Sequence, residues 1–379
     1  MSAPISRRDF LLLVTGTAGA TLIAACRPLG SREAPHTVPT LVPPDFRTTP
    51  GSPGGDSAAD GRRAQAFNFT VPDPNHSDLI VSRQPLITPV DRFYVQSWNV
   101  LPDPVDTAAW SLTIDGLVDR PLTLSYEDVL AFEPVEVMRT LECIGNPVGG
   151  NLIGNQTWAG CRLRPLLDEA GIQPEAIRAK FTAADRYMTS IDLEWILQED
   201  TLLVYAMDGQ PLTHEHGYPL RIMMPGLYGQ KMPKWIQRIE FIPDRYQGYW
   251  EHHGWSDVCE VKTNSQIILP ENLSTVTGAF ALQGWAYAGK RRIIAVEVSV
   301  DDGPWQPCDL LEGPSPLAWT MWWTTWTPER TGAFRVAVRA TDETGFTQSR
   351  LGEMLESAYP DGTDAIHSLA YNAQPPEES

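Results

Sequence analysis

Cysteine is scarce in this chain of 379 residues: Cys26, Cys143, Cys161, Cys259 and Cys308 are the complete set, and no two are spaced as CxxC. A structural zinc ribbon and a CxxCH-attached haem are therefore not expected. No glycine-rich loop follows a strand pattern and no regular βαβ alternation recurs, which argues against a Rossmann domain. Basic residues are also few, 29 Lys and Arg against 47 Asp and Glu, for a net charge of −18. Nucleic-acid binding, which needs clustered cations to neutralise phosphates, is not expected from such a balance. The acidic excess serves solubility and suits a basic partner. The apolar run Leu11 to Ala25 is too short and too rich in Gly, Ala and Thr to be a secure transmembrane helix.

The N-terminus carries an address. Ser6-Arg7-Arg8-Asp9-Phe10-Leu11 is a twin-arginine pattern, and the apolar run behind it ends in Ile23-Ala24-Ala25-Cys26, the small-residue pattern of a lipoprotein processing site. Residues 1–26 read as a signal that exports the protein to the periplasm and leaves Cys26 lipidated. The membrane would then be reached through that lipid anchor only. Cleavage near Ala25 with an unmodified cysteine is the alternative. The twin-arginine route carries folded proteins, and a cofactor inserted in the cytoplasm is a common reason to fold first, which points to a redox enzyme. Residues 27–66 hold seven prolines and few large apolar residues, as a flexible linker would.

The remainder divides in two. Residues 67–258 mix short alternating stretches, such as Trp110 to Ile114 before the turn Asp115-Gly116, with short helical pieces. One piece runs from Leu163 to Ala170 and stops at Gly171; another, Glu127 to Ala131, is capped by Ser125. The class is α+β with a mainly β content. In residues 259–358, Val296, Val298 and Val300 alternate with polar residues before Asp301-Asp302-Gly303. Phe334, Val336 and Val338 do the same before Asp342 to Gly345, and Trp319, Met321 and Trp323 share a face of a further strand. Strands at this spacing without helical period predict an immunoglobulin-like β-sandwich with its aromatics in the core. Residues 359–379, polar and Pro-rich at the end, are expected to form a loosely held tail.

In an oxidising compartment a disulfide is the default for two or three of the cysteines. Cys143 stands apart, in Thr140-Leu141-Glu142-Cys143-Ile144-Gly145-Asn146-Pro147-Val148-Gly149-Gly150. Its glycines let backbone approach something bulky, and a thiolate is a soft donor for a metal. Together with Gly154 to Gly160 and Leu163-Arg164-Pro165-Leu166-Leu167, this stretch resembles the cysteine-bearing segment of the sulfite oxidase family. Asp208 to Leu212, His216-Gly217-Tyr218-Pro219-Leu220-Arg221, Pro225-Gly226 and Lys234-Trp235 follow in order and resemble that family's pterin-binding run. Gly248-Tyr249-Trp250 and the sandwich are similar to its C-terminal dimerisation domain.

The resemblance implies a molybdopterin-binding domain of sulfite oxidase fold, with one molybdenum–molybdopterin cofactor, a small-molecule substrate and a homodimer. Cys143 matches the metal ligand. Asp185, His216, Arg221 and Lys234 match positions that hold the pterin and its phosphate, with Met232 and Pro233 supplying backbone. The loop with Tyr94, Gln96, Ser97, Trp98 and Asn99 matches a further cofactor-lining segment. His214, His252 and His253 are read as structural, and Cys161, Cys259 and Cys308 match no ligand. Three positions depart from the pattern: Gln96 and Pro147 stand where arginines are expected, and Trp255 where a tyrosine is. With Cys143, Gln96 and Trp255 assigned to the reaction centre, a substrate less charged than sulfite, or larger, is expected. Electrons must pass to or from a separate partner, and a c-type cytochrome suits the acidic surface. The alternatives are a reductase of a sulfoxide or another oxyanion in the same fold, and a non-enzymatic assembly lipoprotein.

Overall fold

The computed structural model describes residues 87–375, together with the strands Pro72–Asp73 and His76–Ile80. The export signal, Cys26, the linker and the start of the body near Phe67 lie outside the described residues. Among those described, strands dominate, and the four α-helices are short.

The first half is built on two sheets. In one, Leu122–Ser125, Ser111–Gly116, Ile236–Ile242, Arg178–Ala183 and Met188–Asp192 lie side by side, with Ser111–Gly116 and Ile236–Ile242 pairing in parallel. In the other, Gln210–Pro211, Leu202–Met207, Ile153–Arg162 and Pro134–Glu142 pair in order, and Arg221–Met223 joins Leu202–Met207. Ile153–Arg162 and Leu202–Met207 are buried almost throughout, as strands covered on both faces must be. Leu112, Ile114, Phe181, Leu203 and Ile239 share their core. The helix Tyr126–Ala131 carries the Ser125 cap foreseen, with Asp128 closing a reciprocal capping box. The helix Arg164–Ala170 ends at Gly171, whose φ of 68° is the left-handed cap that glycine adopts without strain.

Two sheets also make the second half. Asn264–Leu269, Phe280–Tyr287, Thr320–Trp326 and Asp309–Leu311 form one; Thr275–Thr277, His367–Gln374, Gly332–Asp342, Ile293–Val300 and Gln306–Pro307 form the other. Val296, Val298, Val336 and Val338 meet Leu282 and Trp322 between them. Each large apolar side chain buried here contributes about 1.5–3 kcal/mol.

Three expectations need correction. Residues 359–379 are not a loose tail as far as they are described: His367–Gln374 is a strand paired with Gly332–Asp342, and His367, Leu369, Tyr371 and Ala373 point inward. Trp319 and Met321 are not in the sandwich core. They join Trp285, Ile144 and Cys259 in a separate apolar cluster between the two halves, while the intervening Trp322 fills the sandwich. No disulfide occurs among the described residues, where Cys161, Cys259 and Cys308 are free thiols. Burial pushes Cys161 and Cys308 up to about 12, so neither is a ready thiolate.

Candidate active site

The strand Pro134–Glu142 ends at the seam between the halves and delivers Cys143 into a cavity of about 410 Å³. The Cys143 N–H donates to Leu152 O at 2.9 Å, and Asn146 N–H donates back to Cys143 O at 2.9 Å, which closes a tight turn around the thiol. Gly145 lies between the thiol and Trp255. A Cβ there would lie 3.5 Å from Trp255 Cη2 and 3.8 Å from Cys143 Sγ, so the indole and the sulfur share the space beside this glycine. Glu142, buried behind the turn, accepts from Asn146 Nδ2 at 3.1 Å and from Asn264 Nδ2 of the sandwich at 3.2 Å. Burial outweighs these two hydrogen bonds and pushes this carboxyl up to about 7.

Positive charge gathers around Gly217, where a Cβ would meet the Cβ atoms of Lys234 and Arg221 at 3.0 and 3.3 Å. Arg221 reaches His216 O at 3.2 Å and lies over the Trp158 ring at 5.4 Å. Lys234 donates to Glu215 O at 2.7 Å and Ser97 Oγ at 3.1 Å. Burial, then the neighbouring Arg221, pull Lys234 down to about 7. Burial and the charges of Arg221 and Lys234 bring His216 to about 3, a neutral imidazole. Burial outweighs the nearby Tyr187 amide and Lys234 in raising the Asp185 carboxyl. Arg221 Nε and both ring nitrogens of His216 are buried without a hydrogen-bond partner. Arg221 thus keeps an unpaired buried N–H beside Lys234, and an unpaired buried donor costs about 1–3 kcal/mol. A phosphate-bearing cofactor fits these residues.

Nearly all the residues singled out in the sequence line this one cavity: Tyr94, Gln96, Ser97, Trp98, Cys143, Pro147, Asp185, His216, Arg221, Met232, Pro233, Lys234 and Trp255. Asn99 does not; it is exposed outside the cavity and is withdrawn from the site. His214 is structural as read, with Nε2 2.9 Å from Pro102 O and its own carbonyl accepting from Trp235 Nε1 at 2.8 Å. Sequence reasoning missed Tyr187, Gln230, Trp250 and Ser357, which also line the cavity. Tyr187 and Gln230 had a local signal, Tyr187 lying two residues beyond Asp185 and Gln230 just before Met232 and Pro233. Ser357 comes from the segment after the strand Gly332–Asp342, held against the Cys143 loop where Val148 N–H donates to Glu356 O at 3.1 Å, and nothing local announces it.

A family model described as an oxidoreductase molybdopterin binding domain matches residues 99–250, and one described as a Mo-co oxidoreductase dimerisation domain matches residues 255–358. Sulfite oxidase of Arabidopsis thaliana is 29% identical over 281 residues, covering 61% of this chain and 71% of that protein. The oxidoreductase YuiH of Bacillus subtilis is 38% identical over 150 residues, 40% of this chain and 74% of YuiH. NADH nitrate reductase of Hordeum vulgare is 31% identical over 328 residues; these are 69% of this chain but 36% of that protein, so the chain spans about a third of it. Among solved structures, the sulfane dehydrogenase SoxCD of Paracoccus pantotrophus shares the fold, with a TM-score of 0.65 at 23% identity over 76% of this chain and 83% of that one. A thiol-bearing turn, a buried cation cluster in the same cavity, and both halves of the chain matched in order lead to one assignment: this chain belongs to the sulfite oxidase family of molybdopterin-dependent oxidoreductases.

Proposed function

We propose that the chain binds one molybdenum–molybdopterin cofactor, with Cys143 as the protein ligand to the metal, and moves an oxygen atom between water and a small substrate. The observation that carries this reading is the meeting of the Cys143 thiol, the Arg221 and Lys234 side chains, and the unpaired Arg221 Nε and His216 ring nitrogens in one cavity. Arg221, Lys234 and His216 would hold the cofactor's phosphate and pterin, with Asp185, Ser97 and the Met232-Pro233 backbone along it. Among the described residues Cys143 is the one thiol lining the cavity, so the metal's other sulfur donors would come from the cofactor. When bound, the cofactor supplies the two-electron step and the exchangeable oxygen. For oxidation the balance is one water oxygen gained by the substrate, with two protons and two electrons released; for reduction of an oxide it reverses.

The chain's own residues bind, orient and exclude water. Around Cys143 the wall is Gln96, Ile144, Gly145, Pro147 and Trp255. Gln96 brings a neutral amide, Pro147 has no N–H, and Trp255 presents a ring. A sulfite dianion leaving water would find little fixed charge there to replace its hydration, so a less charged substrate fits better. Electrons pass to or from a separate protein, for which a c-type cytochrome suits the acidic chain. Export by Arg7-Arg8, a lipid on Cys26, and a homodimer through the sandwich complete the reading. The test is to purify the holoprotein, measure molybdenum, and assay sulfite, sulfoxides and nitrate with artificial electron carriers. Molybdenum with turnover that disappears in Cys143→Ser supports the proposal; a metal-free protein, or a fully active Cys143→Ser, overturns it.

A further inference from the structure

The mouth of the cavity is walled by rings in continuous contact. Trp98 lies 5.3 Å from Tyr249, Tyr249 5.0 Å from Trp250, Trp250 6.3 Å from Trp255, and Trp255 5.2 Å from Tyr359, measured between ring centres. Three of these rings, Trp98, Trp250 and Trp255, line the cavity itself. Tyr359 closes the series from the sandwich side and is half exposed at 52%. Its hydroxyl donates to His253 O at 3.4 Å, and Ser256 N–H donates to Pro360 O at 2.9 Å, which ties the two halves at the rim. A small oxyanion has no use for such a wall, because ring faces carry negative potential and repel it. An apolar or aromatic group gains both burial and offset stacking.

We propose that this wall selects a neutral organic substrate whose oxygen-exchanging sulfur or nitrogen carries an aryl or similarly flat apolar group. The group stacks on Trp255 and meets Trp250, set at 82° to it, edge to face, and the heteroatom is thereby aimed at the space that Trp255 shares with Cys143 Sγ beside Gly145. The proposal rests on the oxygen-transfer reading above and adds its substrate class. Trp255 is the principal specificity determinant, with Trp250 beside it and Tyr359 supporting Trp255 edge-on at an interplanar angle of 85°.

Binding can be read without turnover by using sulfones as shape analogues. Calorimetric titration of the molybdenum-loaded protein should give methyl phenyl sulfone at least about tenfold tighter binding than dimethyl sulfone, as one buried, stacked ring implies. Trp255→Ala should bring the two sulfones to within about twofold, and Trp255→Phe should keep most of the preference, since a ring face remains. Tyr359→Ala, at a half-exposed position, gives a second reading that does not depend on the Trp255 variant folding, and should weaken the preference by about threefold. Equal affinities in the wild type, or an undiminished preference in a folded Trp255→Ala, would overturn the proposal. Metal analysis of the same samples separates the two claims: a protein that holds no molybdenum defeats the oxygen-transfer reading and this proposal with it. Equal sulfone affinities in loaded protein defeat the ring wall alone.

Discussion

Behind the cavity wall, Lys231 and Glu251 form an ion pair with side chains 0% and 1% exposed. Lys231 Nζ also donates to Ser190 O at 3.0 Å, and Asp257 lies 3.1 Å away. Glu251 in turn accepts from Thr189 Oγ1 at 2.7 Å and Gln230 Nε2 at 3.3 Å. Lys231→Met should therefore remove the counter-charge of a carboxylate that has no solvent to fall back on. Breaking such a pair costs about 3–5 kcal/mol. The cost should depend on pH in a defined direction. In the wild type, burial raises the Glu251 carboxyl, but Lys231 and Thr189 outweigh it and hold the group below its usual range. A depressed carboxyl contributes stability above its unfolded pKa and loses it as pH falls through the folded one. Without Lys231 only burial and the weaker hydrogen bonds remain, so the carboxyl should shift upward, and its penalty should ease on acidification as the group takes a proton. Urea unfolding of both proteins at neutral pH and at about pH 5 should show a gap of about 3–5 kcal/mol that narrows at the lower pH. A loss below about 1 kcal/mol, the range of an exposed pair, or a gap indifferent to pH, would refute the reasoning. The pair also supports function, because Gln230 and the Trp250 turn line the cavity, so the variant should lose cofactor more readily than the wild type.

The cation cluster gives a second pH dependence. Apo-protein should bind pyrophosphate less well as pH rises through about 7, where Lys234 loses its proton, and Lys234→Met should bind weakly with a flat profile; a pH-independent wild type by calorimetry would contradict this. Sandwich-mediated dimerisation predicts twice the mass of the processed chain in light scattering at micromolar concentration, and a monomer would count against it. Arg7→Lys with Arg8→Lys should leave the protein in the cytoplasm by cell fractionation, and Cys26→Ser should release it from the membrane fraction; a variant at Cys26 that stays membrane-bound defeats the lipid anchor.

Local rules explain which parts of this fold can be read from the chain. Val296, Val298 and Val300 alternate with polar neighbours because one face of the strand is buried, and Ser125 and Gly171 mark helix ends because capping is a local hydrogen-bond problem. His367–Gln374 alternates just as strictly, but its inward residues include a histidine and an alanine beside Leu369 and Tyr371, so its apolar signal is faint. The histidine is accommodated because Ile267 N–H donates to its Nδ1 at 3.0 Å. Trp319 and Trp322 are indistinguishable in composition, yet one faces the seam and the other the sandwich, a choice made by how the two halves dock. The cavity follows the same division. Cys143, His216, Arg221 and Lys234 lie in compact motifs, whereas Ser357 and Tyr359 reach the site from a segment more than a hundred residues beyond Trp250 in the chain. Asn99 shares a loop with Trp98 and Ser97, which line the cavity, but its own side chain turns to solvent, and sequence alone does not separate the three.

The central claim is that Cys143 contributes a sulfur to a molybdenum bound in this cavity. X-ray absorption at the molybdenum edge, on purified wild type and Cys143→Ser matched for metal content, tests it most directly. The variant should lose one sulfur neighbour from the metal's inner shell and gain an oxygen in its place, with the cofactor sulfurs unchanged. An identical sulfur shell in both proteins would contradict it.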